Sequence, residues 1–189
     1  MKAAHADVFL ATVHQAEYLD LHQQYLKSGL CHKVESYGTR GLEGNTANQF
    51  GAAGSDYLLV TSFWNSHVGN KALLKSFLDH YQAKYGAQPE WYQAISYETA
   101  RALLTAIERA GSLDRDLVRD RLASLQMPSI MPSGLLSFPA EYGQQARFLY
   151  VVEQTQPDGK PGIVCPIIAA TTAGDVPNPR CEKGGRAGG

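Results

Sequence analysis

The stretch VFLATVHQAEYLDLHQQYLKSGLCHKVESY, residues 8–37, decides the fold class. Val8-Phe9-Leu10-Ala11 is a short, β-rich apolar run, the profile of a buried parallel strand. Gln15 to Ser28 follows as a helix, with Leu19, Leu21, Tyr25 and Leu26 as its apolar stripe and Gly29 placed to end it. His32 to Tyr37 is a second strand. Working outward, Gly38-Thr39-Arg40-Gly41 is a Gly-flanked loop, and Thr46 to Phe50 is one helical turn with Asn45 as its cap. Tyr57-Leu58-Leu59-Val60-Thr61 is a third strand. Strand, helix, strand, short helix, strand is the order of a parallel α/β layer.

The character then changes. Ser62 to Asn70 is a polar and aromatic crossover carrying Phe63, Trp64 and His67. Lys71 to Tyr85 is an amphipathic helix with Leu74, Phe77, Leu78 and Tyr81 at three- and four-residue spacing, stopped by Gly86. A longer helix opens at Pro89 and runs to about Ala110, where Gly111-Ser112 breaks it. Asp114 starts a third helix that ends near Leu125. Gly134 to Phe138 and Arg147 to Gln154 read as strands, Pro157-Asp158-Gly159-Lys160 as a turn, and Ile163 to Ile168 as the strand completing a hairpin. Residues 174–189 are rich in Gly, Pro and charge, and the expectation is a disordered tail.

Composition excludes several classes. Of the 189 residues, 44% are hydrophobic and 19% charged, a globular balance rather than that of a disordered chain. A net charge of −1 with scattered Lys and Arg gives no electrostatic case for nucleic acid. No apolar run approaches a membrane span. Cys31, Cys165 and Cys181 are too few and too far apart for a disulfide scaffold or a zinc site; one pair could bridge and an odd count leaves at least one thiol free, but the expectation is unpaired thiols without a role. The histidines lack the i, i+4 spacing of a metal helix, so neither metal nor cofactor is expected. Met1 to Asp7 shows no basic stretch followed by an apolar core, hence no secretion signal in this chain.

A family likeness accumulates along the chain. Phe77-Leu-Asp-His-Tyr-Gln-Ala-Lys-Tyr-Gly-Ala-Gln-Pro89 resembles the "F…Y…YG…P" segment of Leu/Ile/Val-type receptors. Tyr97, Ala106-Ile-Glu-Arg-Ala-Gly-Ser112 and Asp114 look like the family's "A-I-x-x-A-G-S-x-D", and Ala6-Asp7-Val8-Phe9-Leu10 like its "A-D-V-F-L" strand. Val152 to Lys160 is similar to "V-x-Q-x-x-x-D-G-K". Covering roughly residues 5–170, the chain resembles the C-terminal half of a type I periplasmic solute-binding protein. The resemblance implies an α/β fold of parallel-sheet, three-layer lobes that close on a ligand, here truncated with the first lobe incomplete. By it, residues 1–62 and 146–170 form the second lobe, and 68–143 are a mostly helical remnant of the first. It further implies a small-molecule ligand (an amino acid or an organic or aromatic acid), an ABC transporter permease as partner of the full-length protein, and a periplasmic or extracytoplasmic location.

Ligands of open α/β sheets bind beyond the carboxyl ends of the strands, which here means Thr12-Val13-His14-Gln15 and Tyr37-Gly38-Thr39-Arg40. The ligand-binding candidates are therefore His14, Gln15, Tyr37, Thr39 and Arg40, with Trp64 from the crossover to stack on an apolar ligand body. The resemblance puts an aromatic residue at the position of His14 and an acid at that of Arg40. Arg40 reverses the charge, and its planar fork suits a carboxylate. No catalytic residue is expected. The rival reading is a serine esterase built around Ser66-His67 or Ser55-Asp56, although no G-x-S-x-G elbow is present. Finally, a first lobe without its sheet leaves the stripes of residues 71–110 uncovered, which leads to the expectation of self-association through them.

Overall fold

In the computed structural model the described residues are 6–38, 49–143, 145–146, 149–157 and 161–165. In chain order the elements are β1 (Val8–Ala11), α1 (Gln15–Lys27), β2 (Val34–Tyr37), α2 (Gly51–Ser55), β3 (Leu59–Ser62), α3 (Lys71–Tyr85), α4 (Trp91–Ala110), α5 (Arg115–Ala123), β4 (Gln126–Pro128), β5 (Leu135–Ser137), β6 (Val151–Thr155) and β7 (Pro161–Cys165). They fall into two units. Met1–Ser62 with Val151–Gly189 make the first, and Phe63–Tyr150 the second. The expected tail at 174–189, the turn at 158–160, the end of the last strand beyond Cys165 and the cap at Asn45 lie outside the described residues.

The first unit is built on a five-stranded sheet of order β1-β2-β3-β6-β7. β1, β2 and β3 run parallel, whereas β6 is antiparallel to β3 and β7 to β6. The expected parallel layer is therefore present, closed on one side by the late hairpin. Helix α1 ends where Gly29 adopts a φ of +65°, a conformation that costs glycine nothing. Its buried face differs from the expected leucine stripe. Tyr18, His22 and Tyr25 are the buried positions, while Leu19, Leu21 and Leu26 are only half-buried. Polar tips permit this because each finds a partner in the core. Tyr18 Oη donates to the Ala11 carbonyl (3.1 Å), and Tyr25 Oη pairs with His32 Nδ1 (2.8 Å). His22 Nε2–H donates to the Gly54 carbonyl (2.6 Å), and its Nδ1 lies against Tyr37 Oη and 3.2 Å from Glu35 Oε1.

Cys31 is disulfide-bonded, which corrects the expectation of unpaired thiols. Spacing hides this pairing because both other cysteines lie more than a hundred residues further along the chain.

Among the described residues the second unit holds three α-helices, a 3-10 turn at Ala140–Tyr142 and the two-stranded antiparallel ribbon β4-β5. Gly86, Gly111 and Asp114 set helix ends as the sequence suggests, and Asn70 adds a cap it did not single out. Asn70 accepts from the Leu73 amide, Asp114 accepts from those of Asp116 and Leu117, and Gly86 and Gly111 close α3 and α4 in the left-handed region. One apolar cluster joins Trp64, Leu74, Phe77, Ala94, Ile130 and Met131, and another joins Ala102, Leu125, Met127 and Leu136. The stripe of α3 is thus covered within its own unit: Leu74 and Phe77 are 3% and 6% exposed. Their cover comes from the 129–134 turn, pinned by Glu98, whose carboxylate accepts from Ser129 Oγ (3.0 Å), the Ile130 amide (3.3 Å) and Arg101.

Candidate functional site

The carboxyl ends of β1 and β2 are fastened side by side. The Gly38 amide donates to the Ala11 carbonyl (2.8 Å), the same oxygen that Tyr18 Oη reaches from α1. A side chain at position 38 would meet Thr12 Oγ1 at 3.2 Å and both Tyr18 Oη and the Ala11 carbonyl at 3.4 Å, so glycine lets the two strand ends close. From this base Thr12, Val13 and His14 emerge exposed. His14 is the N-cap of α1 with extended backbone, and its amide donates to Glu17 Oε2 (2.8 Å), half of a capping box. The first turn of α1 therefore starts at the carboxyl ends of the strands, the edge at which open α/β sheets bind ligands.

The structure distributes the sequence-derived candidates unevenly. His14 lies at this exposed edge, and Gln15 is the first residue of α1. Thr39 and Arg40 lie outside the described residues. Tyr37 is fully buried; its hydroxyl donates to Glu35 Oε1 (3.1 Å) and pairs with His22 Nδ1, and its ring meets those of Phe9, Tyr18 and His22. In this position it holds the end of β2 from beneath. Trp64 is buried in the second unit, where its indole N–H donates to the Ile130 carbonyl (3.0 Å) and its ring stands edge-on to Phe77. Sequence reasoning passed over Tyr18, which joins the β1 end to α1 and whose only signal was a hydroxyl within an apolar stripe.

Serine chemistry finds no support in the geometry. Ser55 is buried and donates to the Gly51 carbonyl (2.7 Å) within α2. At Ser66-His67 the described bond is from the His67 amide to Asn65 Oδ1 (2.8 Å). Among the described residues neither serine hydroxyl is bonded to a histidine, the arrangement a nucleophile needs. Among them too, no three His, Cys, Asp or Glu side chains converge as metal ligands.

The second unit contains a cavity of its own. It is a groove of about 590 Å³, walled by Ile95, Ala102, Leu103, Leu122, Leu136 and Phe138. Its one charged wall group, Glu98, is already engaged by Arg101, Ser129 and Ile130, so the groove offers apolar contact with few polar handles.

Against known families, the model described as "Periplasmic binding protein" matches residues 1–160. The chain belongs to the periplasmic binding protein family. Solved members share the fold at low identity. The leucine binding protein LivK of Thermotoga maritima superposes with a TM-score of 0.72 at 23% identity, over 86% of this chain and 45% of that one. The branched-chain amino acid transporter substrate binding protein LivJ of Streptococcus pneumoniae, in complex with isoleucine, gives 0.66 at 22%, over 82% and 42%. An ABC transporter solute binding protein from R. palustris, in complex with benzoate, gives 0.70 at 15%, over 86% and 43%. This periplasmic binding protein chain thus spans less than half the length of these solved relatives. Among its described residues no helix is long and apolar enough to cross a membrane.

Proposed function

We propose that the chain forms part of the substrate-binding protein of an ABC transporter and holds a small carboxylate at the carboxyl ends of β1 and β2. Family membership carries this reading. The ligands named for two relatives of the same fold, isoleucine and benzoate, share a carboxylate. Arg40, two residues past Gly38, supplies a guanidinium fork to take it in two parallel hydrogen bonds. His14, Gln15 and Thr39 complete the polar rim, and Tyr37 supports it from within the same unit. In the whole receptor, residues 1–62 and 146–170 form one lobe and 68–143 part of the other, and a permease takes the loaded protein. The Cys31 disulfide fits residence in an oxidising compartment outside the cytoplasm.

Isothermal titration of benzoate against benzamide, and of an aliphatic acid against its amide, tests the proposal. The acids bind more tightly, and Arg40→Ala weakens acid binding by at least about 1.5 kcal/mol, the scale of a charge-assisted hydrogen bond. Equal affinity for acid and amide, or an Arg40→Ala variant that binds as the parent does, refutes the carboxylate reading.

A further inference from the structure

Cys31 forms a disulfide, and the chain offers it two partners, Cys165 and Cys181. The five-stranded sheet decides between them. Cys31 lies in the loop between α1 and β2, three residues before β2 begins. That loop is held at the amino ends of β1 and β2. The Val34 amide donates to the Asp7 carbonyl (3.2 Å), and the Lys33 ammonium pairs with the Asp7 carboxylate (2.8 Å). The His32 ring stacks on Phe9 of β1, 5.7 Å between centroids, and Nδ1 of His32 meets the Tyr25 hydroxyl.

The backbone of Cys165 stands at the other end and on the other edge. In the order β1-β2-β3-β6-β7, its strand is the outermost on the side away from β1. Cys165 is level with Val152, which is level with Thr61, one residue past the Val60 that faces Tyr37. Cys165 is therefore level with Gly38, three strands across from it. At about 4.8 Å per strand and 3.3 Å per residue, Val34 is about 14 Å sideways and 13 Å lengthwise from Cys165, or about 19 Å in all. Residues 31–34 span at most about 11 Å. Even a loop aimed straight at β7 would leave the two Cα atoms about 8 Å apart, beyond the roughly 7 Å that a disulfide bridges. The contacts with Phe9 and Asp7 hold the loop toward β1 instead.

We infer that the partner is Cys181, so that the disulfide clasps the residues after β7 to the amino-end corner of the sheet, and Cys165 keeps its thiol. The clasp sits at the opposite end of the strands from the edge that begins α1, so it opens and closes without touching that edge. Closing it removes two protons and two electrons from the two thiols. A disulfide such as oxidised glutathione takes both and leaves as two thiols. The bond makes the stability of the first unit respond to the redox state around it.

Trypsin separates the two pairings. Cleavage after Lys27, Lys33, Arg147, Arg180 and Lys183 puts the cysteines on separate peptides, 28–33, 148–180 and 181–183. The full chain is equilibrated in oxidised glutathione, its remaining thiols are blocked with N-ethylmaleimide in urea, and the unreduced digest is read by mass spectrometry. Peptide 28–33 emerges joined to 181–183, with the maleimide on Cys165. In thermal unfolding followed by far-ultraviolet circular dichroism, dithiothreitol lowers the midpoint of Cys165→Ser by at least about 4 °C and leaves that of Cys181→Ser unmoved. Peptide 28–33 joined to 148–180, maleimide on all three cysteines, or a Cys181→Ser midpoint that still falls with dithiothreitol overturns the assignment. None of these readouts depends on ligand binding.

Discussion

Glu98 is the group whose removal the second unit should tolerate least. Its carboxylate is nearly fully buried and holds three donors: Ser129 Oγ, the Ile130 amide and the Arg101 guanidinium. Ser129 and Ile130 are themselves fully buried, so Glu98→Ala leaves a hydroxyl and an amide without this acceptor. Each such loss costs about 1–3 kcal/mol. The Arg101 side chain keeps 26% exposure and regains water, so its share is discounted. The expected destabilisation is about 2–5 kcal/mol. Glu98→Gln keeps one acceptor oxygen and costs about half as much. The chain's two tryptophans, Trp64 and Trp91, both lie in the second unit, so indole fluorescence in urea reports that unit alone. With a urea dependence of about 1–1.5 kcal/mol per molar for a domain of this size, Glu98→Ala lowers the midpoint by at least about 1 M. A midpoint shifted by less than roughly 0.3 M, with unchanged slope, would show that the 129–134 turn holds without Glu98.

Other expectations follow from single contacts. Gly69 has a φ of +138°, and a side chain there would come within 2.7 Å of the Ile130 carbonyl oxygen, so Gly69→Ala destabilises the same unit by more than about 1–3 kcal/mol in a urea melt. Tyr18→Phe removes one of two donors to the Ala11 carbonyl and costs only about 0.5–1.5 kcal/mol, because the Gly38 amide remains; a cost above that range would mean the tyrosine does more. The Lys33 ammonium, 2.8 Å from Asp7, holds the Asp7 carboxyl below its ordinary range through a hydrogen bond and through charge. The pair therefore favours the folded state above the unfolded carboxyl's range, and that contribution fades as pH falls through the folded value. Carboxyl NMR titration should find the Asp7 midpoint lowered in the parent and raised again in Lys33→Ala.

Local chemistry made much of this fold readable. The alternation of β1 and β2 with α1, the glycines at 86 and 111, and Asp114 as a cap each act within a few residues, where propensity and turn geometry decide. What escaped depended on partners far along the chain. Trp64 looked like a ligand platform because nothing nearby in sequence announces the Ile130 carbonyl that takes its N–H. Likewise, Leu74 and Phe77 looked bare because their cover, Ile130 and Met131, arrives some fifty residues later. Tyr37 ends a strand at the right edge for a ligand, yet alternation along β2 turns it inward, and His22 and Glu35 reward that choice with hydrogen bonds. At the strand ends the backbone frame was legible through Gly38, whereas Thr39 and Arg40 rest on the chemistry of their side chains.

The chain leaves the first unit at Ser62 and rejoins it at Val151, and these two residues are direct neighbours in the β3–β6 ladder. During synthesis β1, β2 and β3 therefore emerge well before the strand that completes their sheet. At about 5–20 residues per second the ribosome takes several seconds to supply residues 63–150. Throughout that interval β3 presents an unpaired edge, while the contiguous second unit is free to fold first. The same adjacency makes the intervening unit separable in principle: a two-residue turn joining Ser62 to Val151 would convert β3 and β6 into an ordinary hairpin, leaving the sheet order intact.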